Sequence, residues 1–333
     1  MEYRFLGKSG LKVSELCLGT MTFGRETDEA TARIIVDRFL EEGGNFVDTA
    51  NVYGKTPGAS EEIVGRVLKE KRNKVILATK VFFPTGPGPN EQGLSRTYIM
   101  QAVESSLRRL QTDYIDIYYV HCWDEKTALE ETLLTLNNLV KSGKVRYLGV
   151  SNFTAWQLMK ALSISERWGW SKFICLQPQY SLVVRDIERE ILPLCREEGL
   201  GVVAWSPLGG GFLSGKYRRG EKPPEGTRIA RAEESWEEAW SRRATEKNFK
   251  ILDAVGKIVS SRGKSYAQVA LAWVRSQPGV TSPIIGVRTV DQLKDNLGSV
   301  GWELTSEELE ALDKVSKLEE GYPYRFIKEL GRK

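Results

Sequence analysis

Short runs of apolar, β-branched residues recur along the chain, and an amphipathic helical pattern follows most of them. Residues 75–78 and 202–204 are continuous apolar runs, as expected for strands covered on both faces of a parallel sheet. Most consecutive runs start about 30 residues apart, which is the length of one strand-and-helix unit. The predicted strands begin near Glu15, Phe46, Val75, Ile115, Val145, Phe173, Gly201 and Ser282.

Capping signals and additional segments complete the predicted organisation. Residues 3–13 predict a small hairpin, turning at 8–10, that plugs the N-terminal mouth of a barrel. The long spacing before the eighth strand leaves room for a polar segment, 217–247, and one additional helix. Four threonines stand three residues before Glu or Gln, as in a capping box at a helix start: Thr127, Thr154, Thr289 and Thr305.

Successive strand-and-helix units predict the fold class. Eight such units favour an α/β fold, a closed (β/α)8 TIM barrel with an N-terminal β-hairpin plug and a C-terminal helix and tail from Thr305 on. No segment has the composition of a linker between domains. We therefore expect residues 1–333 to form a single domain.

Composition excludes several classes of function. The 333 residues include 48 Lys and Arg, 44 Asp and Glu, and one histidine, so the net charge is +4 and is spread along the chain. Nucleic-acid binding usually needs a concentrated basic face, and no apolar stretch is long enough for a membrane span. His121 alone cannot build a histidine zinc site, and the four cysteines form no C-x-x-C pair. We expect a soluble, cytoplasmic protein with no metal, nucleic-acid or membrane partner; the oligomeric state stays open.

Polar side chains stand at the C-terminal end of almost every predicted strand, where TIM barrels collect their chemistry. One such residue is ordinary, because an aspartate caps turns and a lone histidine is more often a packed core residue. A whole ring of them is hard to explain by stability, since buried polar groups cost free energy. The ring comprises Thr20, Asp48, Lys80, His121, Ser151, Asn152, Gln177, Ser206 and Arg288.

Three short motifs at these strand ends resemble the aldo-keto reductase superfamily. They are FVDTANVYG at 46–54, ATK at 78–80 and YVH at 119–121. Segments 149–152, 177–180, 204–209 and 285–289 are similar to the cofactor segments of that family, and the resemblance runs from about Tyr3 to Leu318. The bacterial, aryl-alcohol-dehydrogenase-like branch is the most similar.

The resemblance implies an NAD(P)H-dependent carbonyl reductase in which Asp48, Tyr53, Lys80 and His121 are catalytic. Residue chemistry agrees, because a free tyrosine, with a pKa near 10, is a reluctant proton donor. A neighbouring lysine ammonium favours the tyrosinate, and an aspartate keeps that lysine charged and oriented. Tyr53 is then the proton donor, while His121 hydrogen-bonds and polarises the substrate carbonyl.

The same resemblance implies the cofactor contacts. Ser151, Asn152 and Gln177 would hold the nicotinamide carboxamide, and Trp205 would stack on its ring. NADP(H) is favoured over NAD(H), mainly on Arg288 beside a helix start, because Gly286-Val287 replaces the Lys-Ser of many relatives. The expected contacts are Gly19, Thr20, Met21, Asp48, Ser151, Asn152, Gln177, Trp205, Ser206, Pro207, Leu208, Gly210, Lys216, Gly286, Arg288, Thr289, Gln292 and Asn296.

Aromatic residues after three strand ends bear on the substrate, a small-molecule carbonyl compound. Phe23, Phe82 and Trp123 either line an aromatic mouth or pack the loops. An aromatic or medium-size aldehyde is the expected substrate.

Rival interpretations rest on particular residues. Potassium-channel β subunits, which are NADP-binding regulatory modules, resemble this chain as well, including at 93–96; they have asparagine where this chain has His121, so the histidine favours turnover. A barrel glycosidase would pair Asp48 with Asp124 or Glu125. A nucleotide-phosphate loop at 210–216 fails because Tyr217 replaces the required Ser or Thr.

Overall fold

A two-stranded antiparallel hairpin precedes the main sheet in the computed structural model, which describes residues 1–331. Its strands are β1 (Tyr3–Phe5) and β2 (Lys12–Ser14). Leu6 and Val13 from this hairpin are fully buried and pack against side chains inside the barrel. The hairpin therefore fills the N-terminal mouth, as the sequence predicts.

The eight predicted strands form one parallel sheet in chain order, with the last strand beside the first. The seventh and eighth strands are joined in turn: the N–H of Thr281, just before the eighth strand, donates to the carbonyl of Val202 (2.8 Å), and the N–H of Ile284 donates to that of Ala204 (2.8 Å), which closes the barrel. The predicted TIM barrel is thus confirmed. Its strands are β3 (Cys17–Gly19), β4 (Phe46–Asp48), β5 (Ile76–Val81), β6 (Ile115–Val120), β7 (Val145–Ser151), β8 (Phe173–Gln177), β9 (Gly201–Val202) and β10 (Ile284–Gly286).

Helices surround the sheet and cover its outer face with a continuous apolar core. No helix within residues 1–331 is both long and apolar enough to cross a membrane. The tail predicted after Thr305 includes the last two helices, and its residues 332 and 333 lie outside the described part. The helices are α1 (Glu29–Glu41), α2 (Ala59–Leu68), α3 (Arg96–Leu110), α4 (Leu129–Lys141), α5 (Ala155–Trp168), α6 (Ile191–Glu198), α7 (Trp240–Arg243), α8 (Glu246–Arg262), α9 (Tyr266–Ser276), α10 (Val290–Leu297), α11 (Ser306–Ser316) and α12 (Tyr324–Leu330).

Alternation along each strand decides which side chains enter the barrel. Residues two apart on a strand point to the same face, so Phe46 and Asp48 on β4 share the interior, as do Ala78 and Lys80 on β5. Apolar side chains fill the lower interior. The polar residues that end these strands therefore meet at the C-terminal mouth.

Two of the four predicted capping boxes are wrong, and those at Thr154 and Thr305 are confirmed. The Thr127 hydroxyl donates to Asp124 (2.8 Å), so α4 begins two residues later without a side-chain cap. Thr289 does cap α10, but Gln292 accepts the N–H of Arg288 (2.8 Å) instead of the N–H of Thr289. In both cases a neighbouring polar group takes the place of the expected partner: Asp124 binds the Thr127 hydroxyl, and the N–H of Arg288 occupies the Gln292 side chain.

A stability prediction follows from the tight interior at Gly149 on β7. A Cβ there would collide with the Tyr119 ring and approach Cys175 Sγ to 3.0 Å. We expect Gly149→Ala to lower the free energy of unfolding by about 1–3 kcal/mol, because overpacking strains a filled core. Denaturant titration measures this loss, and Gly10→Ala is the control because a Cβ there meets nothing within 4 Å. If the two variants unfolded at the same denaturant concentration, the prediction would be contradicted.

Candidate active site

A buried ion pair lies at the C-terminal mouth of the barrel. Lys80 is fully buried, and its ammonium donates to the Asp48 carboxylate, to the carbonyl of Thr49 (2.8 Å) and to the hydroxyl of Tyr53 (3.3 Å). Burial alone would lower the pKa of Lys80, but the Asp48 and Tyr53 oxygens outweigh it and raise that pKa above 10.5. Lys80 is therefore a charged ammonium with all three hydrogens partnered.

The second carboxylate oxygen of Asp48 is held from the opposite side of the barrel. Gln177 at the end of β8 donates its side-chain amide to Asp48 Oδ2 (2.9 Å). The Ser151 hydroxyl, at the end of β7, donates to the backbone carbonyl of Gln177 (2.7 Å). Three strand ends that the sequence places apart are thus joined by hydrogen bonds.

Tyr53 lies in the loop after β4 and faces the mouth. Its backbone N–H donates to Ala50 (3.1 Å) and its carbonyl accepts from Ser60 at the start of α2 (3.1 Å), so the loop is fixed at both ends. The Tyr53 ring is half-buried and meets the His121 ring edge-on, with centroids 5.9 Å apart.

His121 follows β6 and is 8% exposed. Its backbone N–H donates to Val81 (2.9 Å), and its carbonyl accepts from the Asn152 side chain (2.9 Å). Burial, assisted by the charge of Lys80, lowers the pKa of His121 well below 6.5, so the ring is neutral at neutral pH. Its Nδ1 is buried and has no hydrogen-bond partner within residues 1–331.

Asn152 joins the histidine to an indole ring. Its side-chain oxygen accepts from Trp205 Nε1 (3.1 Å), while its nitrogen donates to His121. The backbone of Asn152 is left-handed (φ 55°), a conformation that asparagine tolerates better than most residues. The half-buried Trp205 ring is thereby oriented at the edge of the mouth.

A glycine-rich turn follows Trp205. Gly210 and Gly211 have positive φ (72° and 94°), and the N–H of Gly210 donates to the Ser206 hydroxyl (2.8 Å). This hydroxyl in turn donates to Glu238, whose buried carboxylate also pairs with Arg228. The turn, Gly209–Ser214, is a short 3-10 segment without the α-helix that a nucleotide-phosphate loop requires.

Positive charges gather beside this turn. Burial and then the charge of Arg288 lower the pKa of Lys216. The pKa of Arg288 is lowered by burial and by the charges of Arg231, Arg25 and Arg228, although Glu26 opposes them. Five cations thus meet two carboxylates here, since Glu26 pairs with Arg25 and Arg231 and Glu238 pairs with Arg228, so the cluster keeps a net positive charge. The guanidinium of Arg288 donates to the Gly226 carbonyl (3.0 Å).

Several other predicted residues are buried within the protein. The Thr20 hydroxyl donates to the Asp48 carbonyl (3.1 Å), and Asn296 is 3% exposed. Phe23 is fully buried in the core, so it packs the loop, whereas Phe82 and Trp123 are half-buried. Gly19, Met21, Pro207, Leu208, Gly286, Thr289 and Gln292 lie at strand ends or in the loops and helix start that follow them.

Three residues near the mouth have no motif that identifies them. Glu238 and Arg228 come from the polar segment 217–247, and the Phe83 ring contacts His121. Asp124, considered above for a glycosidase, is a loop cap that accepts from the N–H groups of Leu94 (2.7 Å) and Lys126 (2.8 Å).

Comparisons with known proteins find sequence relatives over nearly the whole chain. Residues 15–317 match the family model described as Aldo/keto reductase family. A protein named uncharacterized oxidoreductase YrpG, from Bacillus subtilis (strain 168), is 44% identical over 324 residues, covering 95% of this chain and 96% of its own. A norsolorinic acid reductase of Aspergillus flavus is 37% identical over 344 residues, covering 98% and 84%. A probable voltage-gated potassium channel subunit beta of Arabidopsis thaliana is 37% identical over 305 residues, covering 90% and 91%.

The buried, neutral His121 predicts a pH dependence of stability. The pKa of His121 is lowered in the folded state. As the pH falls below 6.5, the histidine of the unfolded chain therefore becomes protonated while His121 of the folded chain stays neutral. The contribution of the neutral histidine to the free energy of unfolding is complete above that pH. Below it, this contribution decreases by up to about 1.4 kcal/mol per pH unit. We expect the unfolding free energy of the wild type minus that of His121→Asn to fall between about pH 7 and pH 5.

Chemical denaturation at a series of pH values measures this difference. The chain has no other histidine, and the carboxylates common to both proteins largely cancel. A difference that is constant over this range would contradict the buried, neutral state of His121.

Proposed function

Because this chain belongs to the aldo/keto reductase family and is an NAD(P)H-dependent oxidoreductase acting on carbonyl compounds, we propose that it reduces aldehydes to alcohols with NADPH. Aromatic or medium-size aldehydes are the proposed substrates. The observation that carries the proposal is the contact of the buried Lys80 ammonium with both Asp48 and Tyr53, beside a neutral His121.

Tyr53 is the proposed proton donor. When bound, the nicotinamide supplies the hydride that reduces the carbonyl carbon. The Tyr53 hydroxyl gives its proton to the carbonyl oxygen, and Lys80 Nζ, 3.3 Å away, stabilises the negative charge left on the phenolic oxygen. Asp48 keeps Lys80 charged and, held by Gln177, fixes its direction. These three side chains act as one proton-transfer unit.

His121 is proposed to orient the substrate. A buried N–H without an acceptor is rarer than an acceptor without a donor, and Nδ1 is the buried, unpartnered nitrogen. The proton of the neutral ring is therefore assigned to Nε2, which donates to the carbonyl oxygen. A neutral imidazole polarises that oxygen without competing with Tyr53 as the acid.

The mouth of the barrel fits a nicotinamide dinucleotide in its donor set. Trp205 offers an oriented aromatic face, and the side chains of Ser151 and Gln177 retain acceptor capacity for a carboxamide. Gly210 has a positive φ of 72°, which favours glycine, and a Cβ there would also meet the Glu238 side chain at 3.1 Å. The proposed phosphate contacts are the turn after Trp205, Lys216 and the start of α10.

Preference for NADP(H) is proposed from the cation cluster. Burial is the main cause of the lowered pKa values of Arg288 and Lys216, and like charges add to it: Arg288 acts on Lys216, and Arg231 acts on Arg288. An additional phosphate relieves this repulsion and adds charge-assisted hydrogen bonds. NAD(H) lacks that phosphate and gains less.

A regulatory module is the second candidate function, because a relative named as a channel subunit aligns over nearly the whole chain. Both candidates bind NADPH, and only a reductase consumes it. Loss of NADPH absorbance with a nitrobenzaldehyde supports the reductase. Tight NADPH binding with no turnover across a broad panel of aldehydes and ketones would support the regulatory module.

Tyr53→Phe tests the proton donor. We expect reduction to fall by at least about 100-fold, because general acid catalysis contributes roughly that much, while NADPH affinity changes little. Steady-state rates and a cofactor fluorescence titration measure the two effects. Tyr3→Phe, at an exposed hairpin position, is the control and should match the wild type; undiminished turnover in Tyr53→Phe would exclude Tyr53 as the acid.

Arg288→Ala tests cofactor selectivity. We expect the Kd for NADPH to rise about 10- to 100-fold, since charge-assisted bonds contribute roughly 1.5–3 kcal/mol, and the Kd for NADH to change much less. Titrations with both cofactors measure the selectivity. Arg262→Ala, at an exposed position on α8 paired with Glu308, is the matched control. Equal weakening for both cofactors would mean that Arg288 does not recognise the additional phosphate.

A further inference from the structure

An aromatic side chain lies directly on the proposed substrate-orienting histidine. Phe83, in the Pro- and Gly-rich insert that follows β5, meets the His121 ring at 4.8 Å between centroids, with the ring planes at 77°. Tyr53 meets the same ring at 5.9 Å. His121 is thus flanked by two aromatic rings and is itself 8% exposed.

The Phe83 backbone is held by a buried hydroxyl. Tyr98 on α3 is 2% exposed, and its hydroxyl donates to the Phe83 carbonyl (2.9 Å). The same hydroxyl accepts from the side chain of Asn51 (3.2 Å) and lies 3.2 Å from the Thr85 hydroxyl. Asn51 belongs to the loop that carries Tyr53. One oxygen therefore connects the loop of the proposed acid to the loop that covers His121.

These contacts leave Phe83 partly exposed. The residue is 37% exposed, although its ring contacts both His121 and Phe82. A flat aromatic substrate that approaches His121 can pack on this ring in an offset or edge-to-face arrangement, which a saturated ring of equal size cannot reproduce. The fixed backbone limits the entropy lost when the contact forms.

We propose that Phe83 is a specificity-determining residue, whose ring forms the wall of the substrate site next to His121 and selects aromatic over aliphatic aldehydes. Tyr98 is a positioning residue that holds Phe83 there. This assignment rests on the proposed carbonyl reduction. It adds the preferred class of substrate and the side chain that recognises that class.

Benzaldehyde and cyclohexanecarbaldehyde test the assignment, because they match in ring size and differ in aromaticity. We expect Phe83→Leu to lower the ratio of kcat/KM for benzaldehyde to kcat/KM for cyclohexanecarbaldehyde about 3- to 10-fold, the effect of one aromatic pair. Phe5→Leu, at an exposed hairpin position at the opposite end of the barrel, should leave the ratio unchanged.

Tyr98→Phe tests the positioning role with the ring retained. It should raise the KM for benzaldehyde while kcat changes little, and shift the ratio in the same direction as Phe83→Leu. Tyr118→Phe is the matched control, because the Tyr118 hydroxyl is also buried but has no hydrogen-bond partner in the described residues. A shift of equal size in both tyrosine variants would overturn the positioning role.

The outcomes separate this assignment from the proposed function. If the wild type reduces both aldehydes and Phe83→Leu changes both kcat/KM values by the same factor, the specificity assignment is wrong and the reductase stands. If the wild type reduces neither of these aldehydes but does reduce others of the broad panel, the specificity assignment alone is wrong. If it reduces no member of the panel, the proposed function fails, and the assignment fails with it.

Discussion

The rest of the site depends on the buried ion pair between Lys80 and Asp48. Removing one partner of such a pair leaves an uncompensated charge and costs about 3–5 kcal/mol. Here every hydrogen of the ammonium has an acceptor, and the second carboxylate oxygen is held by Gln177. Desolvation is tolerated only because β4, β5 and β8 bring these groups together, so the closed barrel is a condition of the charge pair.

The Lys80 ammonium lies close to two aromatic neighbours, Tyr53 and His121. It donates to the Tyr53 oxygen, 3.3 Å away, and its positive charge disfavours protonation of His121. In the proposed reaction a single cation thus serves both residues, because it faces the oxygen that would lose a proton and keeps the histidine neutral. Had the histidine been the charged residue, it would compete for the same proton transfer.

The sequence predicts the barrel and the groups at its mouth because both depend on local pattern. Strand alternation sends Asp48 and Lys80 inward, and parallel strands end at the same side, so their meeting follows from the fold. Phe23 shows where local pattern fails. It follows a strand end just as Phe82 does, yet it is fully buried while Phe82 is partly exposed. Phe23 belongs to the main apolar core, whereas Phe82 packs against its border, and the local sequence does not distinguish these two places.

Hydrogen bonds to backbone atoms set a second limit on prediction. The position of Phe83 depends on the Tyr98 hydroxyl, which donates to a main-chain carbonyl 15 residues away. Every residue type has a backbone carbonyl, so the identity of residue 83 does not indicate this hydrogen bond. The identity of residue 98 does not indicate it either, because a tyrosine on an amphipathic helix is ordinarily a packing residue. The position of the Phe83 ring over His121 therefore depends on a hydrogen bond to the Phe83 backbone, which involves neither the Phe83 ring nor the His121 ring. Only the folded arrangement of α3 against the two loops reveals this hydrogen bond.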